Sequence, residues 1–210
     1  MIRRILTSMI LIAPLALAGT AGAAGAVAAA ATGAGAGAGS GAGAGAGNYS
    51  ADPQQSRLDF VGMQAGAEFK GTFHKFTAAV QFAPDALATS HFDVQIDMNS
   101  VDSQDKDRDT TIRGADIFDV PHWPTAHYVT RSFTKTAAGY AAVGALTLRG
   151  VTKDVPINFT FTPTAAGAKL EGSAKLNRLD FGAGQGDWKN TDQVANAVKV
   201  SFSLILKPKS

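Results

Sequence analysis

The 210-residue chain contains no cysteine. Disulfides and a thiol nucleophile are therefore excluded, and any folded domain must hold together through its core alone. Net charge is nearly absent too: once Arg3 and Arg4 are set aside, 17 basic residues face 17 acidic ones, and residues 5–47 carry no charge. Such a balance leaves no electrostatic footprint for nucleic acid. The longest apolar run, Ile5 to Ala18, is shorter than the ~20 residues a membrane-spanning helix needs. Catalytic and metal signatures are missing as well. There is no G-x-S-x-G elbow and no H-E-x-x-H, and His74, His91, His122 and His127 show no metal spacing. The acidic cluster Asp102, Asp105, Asp107 and Asp109 lacks the sixth-position glycine and closing glutamate of a calcium loop. GAGQG at 182–186 lies outside the strand–helix context of a dinucleotide site and reads as a mobile loop.

What is present falls into three segments. Residues 1–28 have two arginines, an apolar run, then small residues with A-x-A sites ending at Ala18, Ala23 and Ala28. That is the layout of a secretory signal peptide. Residues 29–47 are a Gly/Ala low-complexity stretch with Ser40 as the interruption of its alternating part. It has no bulky side chains to bury and reads as a linker. Residues 48–210 make the domain, about 160 residues, enough to bury roughly 70% of the unfolded surface around one core.

Within the domain, apolar residues recur at period two. Phe92, Val94, Ile96 and Met98 alternate with Asp93, Gln95, Asp97 and Asn99, and Val198, Val200, Phe202, Leu204 and Leu206 do the same near the end. Leu146 and Leu148, then Val155, Ile157, Phe159 and Phe161, flank Arg149-Gly150 and predict an antiparallel hairpin. The three-residue step from Phe73 to Phe76 breaks the period and predicts a bulge or bend. Residues 100–125 have no such period. Asp102 or Ser103 is expected to cap a short helix over 104–113, ended by Gly114, with Ile117, Phe118, Val120 and Trp123 packing down as a lid. About eight antiparallel strands with one apolar face each predict an all-β barrel with a short helical insertion.

The phrases GTFHKFTAAVQFAPD (71–85), ADIFDVPHWPTAHY (115–128), GALTLRGVTKDVPINFTF (144–161), LNRLDFGAGQGDW (176–188) and VANAVKVSFSL (194–204) together resemble the YceI-like family of bacterial polyisoprenoid-binding proteins over residues 48–207. The resemblance implies an extended, eight-stranded, lipocalin-like antiparallel barrel in the periplasm, with an isoprenoid or quinone-like lipid in its interior and no catalytic residues. It also implies association with an inner-membrane b-type cytochrome and transient membrane contact. One departure stands out: where many members carry a histidine before the G-x-F strand, this chain has Met63-Gln64-Ala65-Gly66, so no contact of that histidine carries over.

The residues expected to line the interior are Phe60, Phe73, Phe82, Phe92, Val94, Ile96, Met98, Phe118 and Phe133 from the first part of the domain. Leu146, Leu148, Ile157, Phe159, Phe161, Leu176, Phe202 and Leu204 supply the rest. Alternation alone does not tell a barrel filled by its own side chains from one left open; the resemblance implies the open form. Arg149, Lys153 and Arg178, at strand ends, are either charged turn residues or contacts for a polar head group. No metal or cofactor is expected.

Overall fold

The computed structural model describes residues 47–209. The expected signal peptide, and nearly all of the expected linker, lie outside the described residues.

Eleven strands are arranged as eight staves. The first stave is β1 (Gly47–Ala51) followed by β2 (Arg57–Gln64), the second β3 (Ala67–Phe73) and β4 (Phe76–Phe82), the third β5 (His91–Asp97) and β6 (Val101–Asp102). Then come β7 (Thr125–Thr136), β8 (Gly139–Leu148), β9 (Val151–Thr164), β10 (Gly167–Asn177) and β11 (Ala197–Pro208), each unbroken. Every neighbouring pair is antiparallel, and β11 returns to pair with β1 and β2. The ring is closed, which removes the free sheet edges that invite aggregation.

The breaks have local causes. Between β1 and β2, Asp52 gathers the turn by accepting from the Gln54 N–H at 2.9 Å and Gln55 Nε2 at 2.8 Å, while Ser56 Oγ accepts from the Ile205 N–H. The predicted bend between Phe73 and Phe76 is real and separates β3 from β4; its backbone is tied to the Met98–Ser100 turn by His74 N–H to the Ser100 carbonyl. A bulge in β7 between Thr130 and Ser132 shifts the side-chain phase, so that Tyr128 and Phe133, five positions apart, both face inward. Arg149 and Gly150 join β8 to β9 with φ of 50° and 72°, the two-residue turn whose twist suits a hairpin.

The helical insertion is α1 (Lys106–Arg113), ended by Gly114 as expected. Its cap is not Asp102 or Ser103 but Asp105, whose carboxylate accepts from the Asp107 and Arg108 N–H groups. The other two are already engaged: Asp102 accepts from the Gln104 N–H, and Ser103 donates to the buried Asp109 through N–H at 2.7 Å and Oγ at 2.6 Å. In the following segment Val120 is buried, and Ile117 and Phe118 are half-buried. Trp123 departs from the predicted lid: it is 44% exposed, its ring laid over Gly150.

Candidate functional site

The two ends of the barrel differ. At the end where β4, β7, β9 and β11 finish, Phe82 is 1% exposed at the centre of a plug of rings. Its centroid lies 4.8 Å from Phe161, 4.9 Å from Tyr140, 5.4 Å from Phe159, 5.9 Å from Phe92 and 6.0 Å from Phe133. Tilted and edge-on pairs of this kind contribute beyond their buried area. The plug closes that end.

From the plug to the opposite end runs a cavity of about 510 Å³ with an overwhelmingly apolar wall. An engineered apolar cavity of roughly 150 Å³ already stays dry and takes benzene, so this volume holds several such groups in line. Of the residues expected to line it, Phe60, Phe73, Phe92, Val94, Ile96, Met98 and Phe118 do so on the first three staves and the segment after α1. Leu146, Leu148, Ile157, Leu176, Phe202 and Leu204 do so on the rest. Phe82, Phe133, Phe159 and Phe161 are not part of its wall; they are the plug. Alternation assigns a side chain to the inside of a barrel but not to a height along its axis. The expected lining left out Leu58, Phe69, Phe76, Tyr128, Val155 and Val200, which also face the cavity and share the inward parity of their strands.

A barrel of eight strands is narrow enough to be filled by its own side chains. Here glycines keep it open. Phe60 lies across Gly71, Phe69 across Gly62, Phe202 across Gly172, and Tyr128 across Gly144; a Cβ at any of these glycines would collide with the ring. Three of these are directly opposed pairs, Phe60 with Gly71, Gly62 with Phe69 and Gly172 with Phe202. Each ring lies down on the wall instead of standing in the lumen.

The open end is framed by α1, the β2–β3 turn and the connection from β10 to β11. That connection is held down by main-chain bonds from Ala65 N–H to the Gln193 carbonyl (2.8 Å) and from Gly184 and Gln185 N–H to the Asp116 carbonyl (both 2.8 Å). Arg178, 6% exposed, donates through Nε to the Ala195 carbonyl (3.1 Å), Nη1 to Ala183 (2.9 Å) and Nη2 to Val194 (2.7 Å). Burial lowers its pKa from the ordinary value. Arg108 stacks 4.7 Å above the Phe69 ring. The Tyr128 hydroxyl donates to the Val155 carbonyl at 3.1 Å, and burial, with a smaller effect of Asp154, pushes its pKa well up, so it stays a neutral phenol. Arg149 turns away to donate to the Ala115 carbonyl, and Lys153 is exposed. His74, His122 and His127 each sit on a carboxylate, of Asp102, Asp119 and Asp93.

Comparison with known proteins agrees with this geometry. The YceI-like domain profile matches residues 49–206. A Yersinia enterocolitica relative, UPF0312 protein YE1254, is 30% identical over 150 residues, 63% of this chain and 78% of its own length. The solved structure of Burkholderia cenocepacia BcnA superposes with a TM-score of 0.70 at 31% identity, covering 73% of this chain and 98% of that one. A polyisoprenoid binding domain from Saccharophagus degradans shares the fold, with a TM-score of 0.58 at 17% identity over 77% of this chain and 98% of that one.

Proposed function

The chain belongs to the YceI-like domain family, and on that footing we propose that it binds a long isoprenoid amphiphile in the barrel lumen, as a carrier or sequestering protein of the periplasm. The observation that carries this reading is the open, apolar, 510 Å³ cavity closed at one end by aromatic rings. A barrel built only as a scaffold would gain stability by filling that space, since voids forfeit packing contacts. A tail placed there contributes about 0.8 kcal/mol for each methylene removed from water. Tight binding therefore needs no specific contact along the tail, and tail recognition is loose. The Saccharophagus degradans neighbour, described as a polyisoprenoid binding domain, supports the ligand class.

Binding rather than catalysis fits the polar groups on the wall. Tyr128 and Arg178 are committed to main-chain carbonyls, which positions structure rather than a reacting centre. Export rests on the signal-like layout of residues 1–28. A quinone-like lipid is the finer form of the ligand, with an inner-membrane b-type cytochrome as its partner and a passing membrane contact for loading.

The test is to purify the chain from a bacterial periplasm and analyse what leaves with it by native and lipid mass spectrometry. A stoichiometric prenyl lipid or quinone, on a protein whose N-terminus follows Ala18, Ala23 or Ala28, is the expected result. A protein that arrives empty and takes up no added prenyl lipid would sink the proposal.

A further inference from the structure

Two neighbouring staves break opposite one another. Phe73 pairs with Val101 and Phe76 with Ile96, so the bend at His74-Lys75 faces the Met98–Ser100 turn. The two breaks are laced together. His74 N–H donates to the Ser100 carbonyl (3.2 Å), Lys75 N–H to Ser100 Oγ (3.0 Å), and Asp97 N–H to the Lys75 carbonyl (2.9 Å). Irregularities of this kind interrupt a sheet and re-aim its side chains. With α1 they leave a cleft of about 630 Å³ on the outside of the barrel, which shares no lining residue with the lumen.

Three cations line the cleft: Lys75 from the bend, and Lys106 and Arg113 from α1. None of them has an ion pair among the described residues. The acidic groups on the wall are already engaged. Asp102 lies 3.0 Å from His74 Nε2 and accepts from the Gln104 N–H at 2.8 Å, and these contacts, His74 first, hold its carboxyl below the ordinary value. Buried Asp109 accepts from the Ser103 N–H and Oγ. The wall's hydroxyls are turned to the main chain, Ser100 Oγ donating to the Asp97 carbonyl and Thr110 Oγ1 to that of Lys106. Arg113 is fixed in place by donating through Nε to the Asn99 carbonyl and Nη2 to the Val101 carbonyl.

We propose that this cleft is an oxyanion site separate from the lumen, and that its ligand is a phosphate group, free or as the monoester of a small molecule. Lys75, Lys106 and Arg113 stand against Asp102 and Asp109, a surplus of one positive charge with His74 counted as neutral. A phosphate monoester carries about −1.5 to −2 at neutral pH. That charge suits three cations converging from a bend and a helix better than the single charge of a carboxylate does, and ammonium and guanidinium groups both bind it. The site stands on the breaks and α1 alone, whether or not the lumen takes a lipid.

The experiment titrates the isotope-labelled chain with sodium phosphate and with glycerol 3-phosphate, at an ionic strength held constant with sodium chloride, and follows backbone amide shifts by NMR. Saturable shifts clustered at 74–75, 99–102 and 106–113 are expected, with a Kd of about 1 mM, as a few charge-assisted contacts give at an exposed site. Lys75→Gln and Lys106→Gln remove exposed side chains that make none of the bonds holding the cleft. Each should weaken binding about five- to tenfold with the thermal melt unchanged. Arg113 stays intact because it holds two carbonyls. Tighter binding of the monoester points to an esterified ligand, and equal or weaker binding to free phosphate. Absence of saturable shifts with both anions, shifts that chloride alone reproduces, or lysine variants that bind like the parent chain overturn the proposal.

Discussion

If glycines hold the lumen open, adding one methyl group to the wall will close it. Gly144 is the sharpest case. Its backbone is ordinary extended strand and not among the positive-φ positions, so alanine adopts it without strain, yet the three atoms nearest a Cβ there all belong to the Tyr128 side chain, within 2.7 Å. In Gly144→Ala the ring must swing away from the wall. Loss of the Tyr128–Val155 hydrogen bond costs about 0.5–1.5 kcal/mol, and an off-rotamer ring a similar amount. Reduced freedom of the unfolded chain returns roughly 0.4–1 kcal/mol. The net loss stays below ~3 kcal/mol, less than the ~5–15 kcal/mol typical of a domain, so the variant folds. Binding suffers more. A ring standing in the lumen displaces on the order of three or four methylenes of tail, worth about 2.5–3 kcal/mol, which is roughly a hundredfold in affinity for geranylgeraniol. Urea melts give the stability term and probe displacement gives the affinity. The rescue is Gly144→Ala with Tyr128→Ala, which removes the ring and reopens the space. Undiminished affinity in the single variant, or no recovery in the double, would refute the idea that glycine–aromatic contacts create the cavity.

Two further outcomes follow from the plug and from the first turn. Phe82→Ala removes the most central ring, and a large-to-small change at so buried a site is expected to cost ~3–5 kcal/mol in urea melts; the deeper lumen should also shift preference towards longer prenyl tails in a chain-length series. A loss under ~1 kcal/mol with unchanged chain-length preference would mean the plug does not set the depth. Asp52 is held below the ordinary carboxyl value of 3.8, first by its bond to Lys207 and then by the Gln54 N–H. Its contribution is therefore complete above that value and is lost as pH falls through the still lower folded value. Thermal melts of Asp52→Asn should depend less on pH than the unmodified protein below 3.8; parallel curves would show that another group governs acid unfolding.

Much of the barrel was legible because each stave has one side on the lumen and one in water, so the period-two signal is strong. The β8–β9 hairpin followed from Leu146, Leu148 and Val155 around Arg149-Gly150, and the bend after Phe73 from a single extra residue in the alternation. The β7 bulge was not read from the sequence, although Tyr128 and Phe133, both large and inward in the structure, sit at odd separation. What could not be read was whether the lumen is empty. That depends on which residue lies across from each aromatic, and cross-strand register is fixed only by the assembled sheet. Gly71 and Phe60 are eleven residues apart in sequence and directly opposed in space; Gly172 and Phe202 are thirty apart. The α1 cap eluded sequence reasoning for a related reason. Four aspartates and a serine compete for the same few N–H groups, and tertiary bonding to Asp109 decides which one is left to cap.

The polar end of the lumen did leave a trace in the sequence, once parity is applied to residues that are not apolar. On β10 the inward positions are Ala168, Leu170, Gly172, Ala174 and Leu176, and the next in step is Arg178. On β2 they are Leu58, Phe60 and Gly62, and the next is Gln64. A guanidinium and an amide thus continue two apolar series at the same end of the barrel, the guanidinium holding the main-chain carbonyls of Ala183, Val194 and Ala195. Lys153 has the inward parity on β9 but is exposed, because pairing of β9 with β10 stops at Ile157 and the wall parts there. Parity therefore identifies an inward polar group only where both neighbouring strands are still paired or, as at Arg178, where a connection folds over in their place. With that condition the lumen has a direction, from polar side chains at the open end to aromatic rings at the closed end. An amphiphile entering head first would set its head group against the Phe82 plug without a hydrogen-bond partner, the arrangement in which burial of a polar group is most costly.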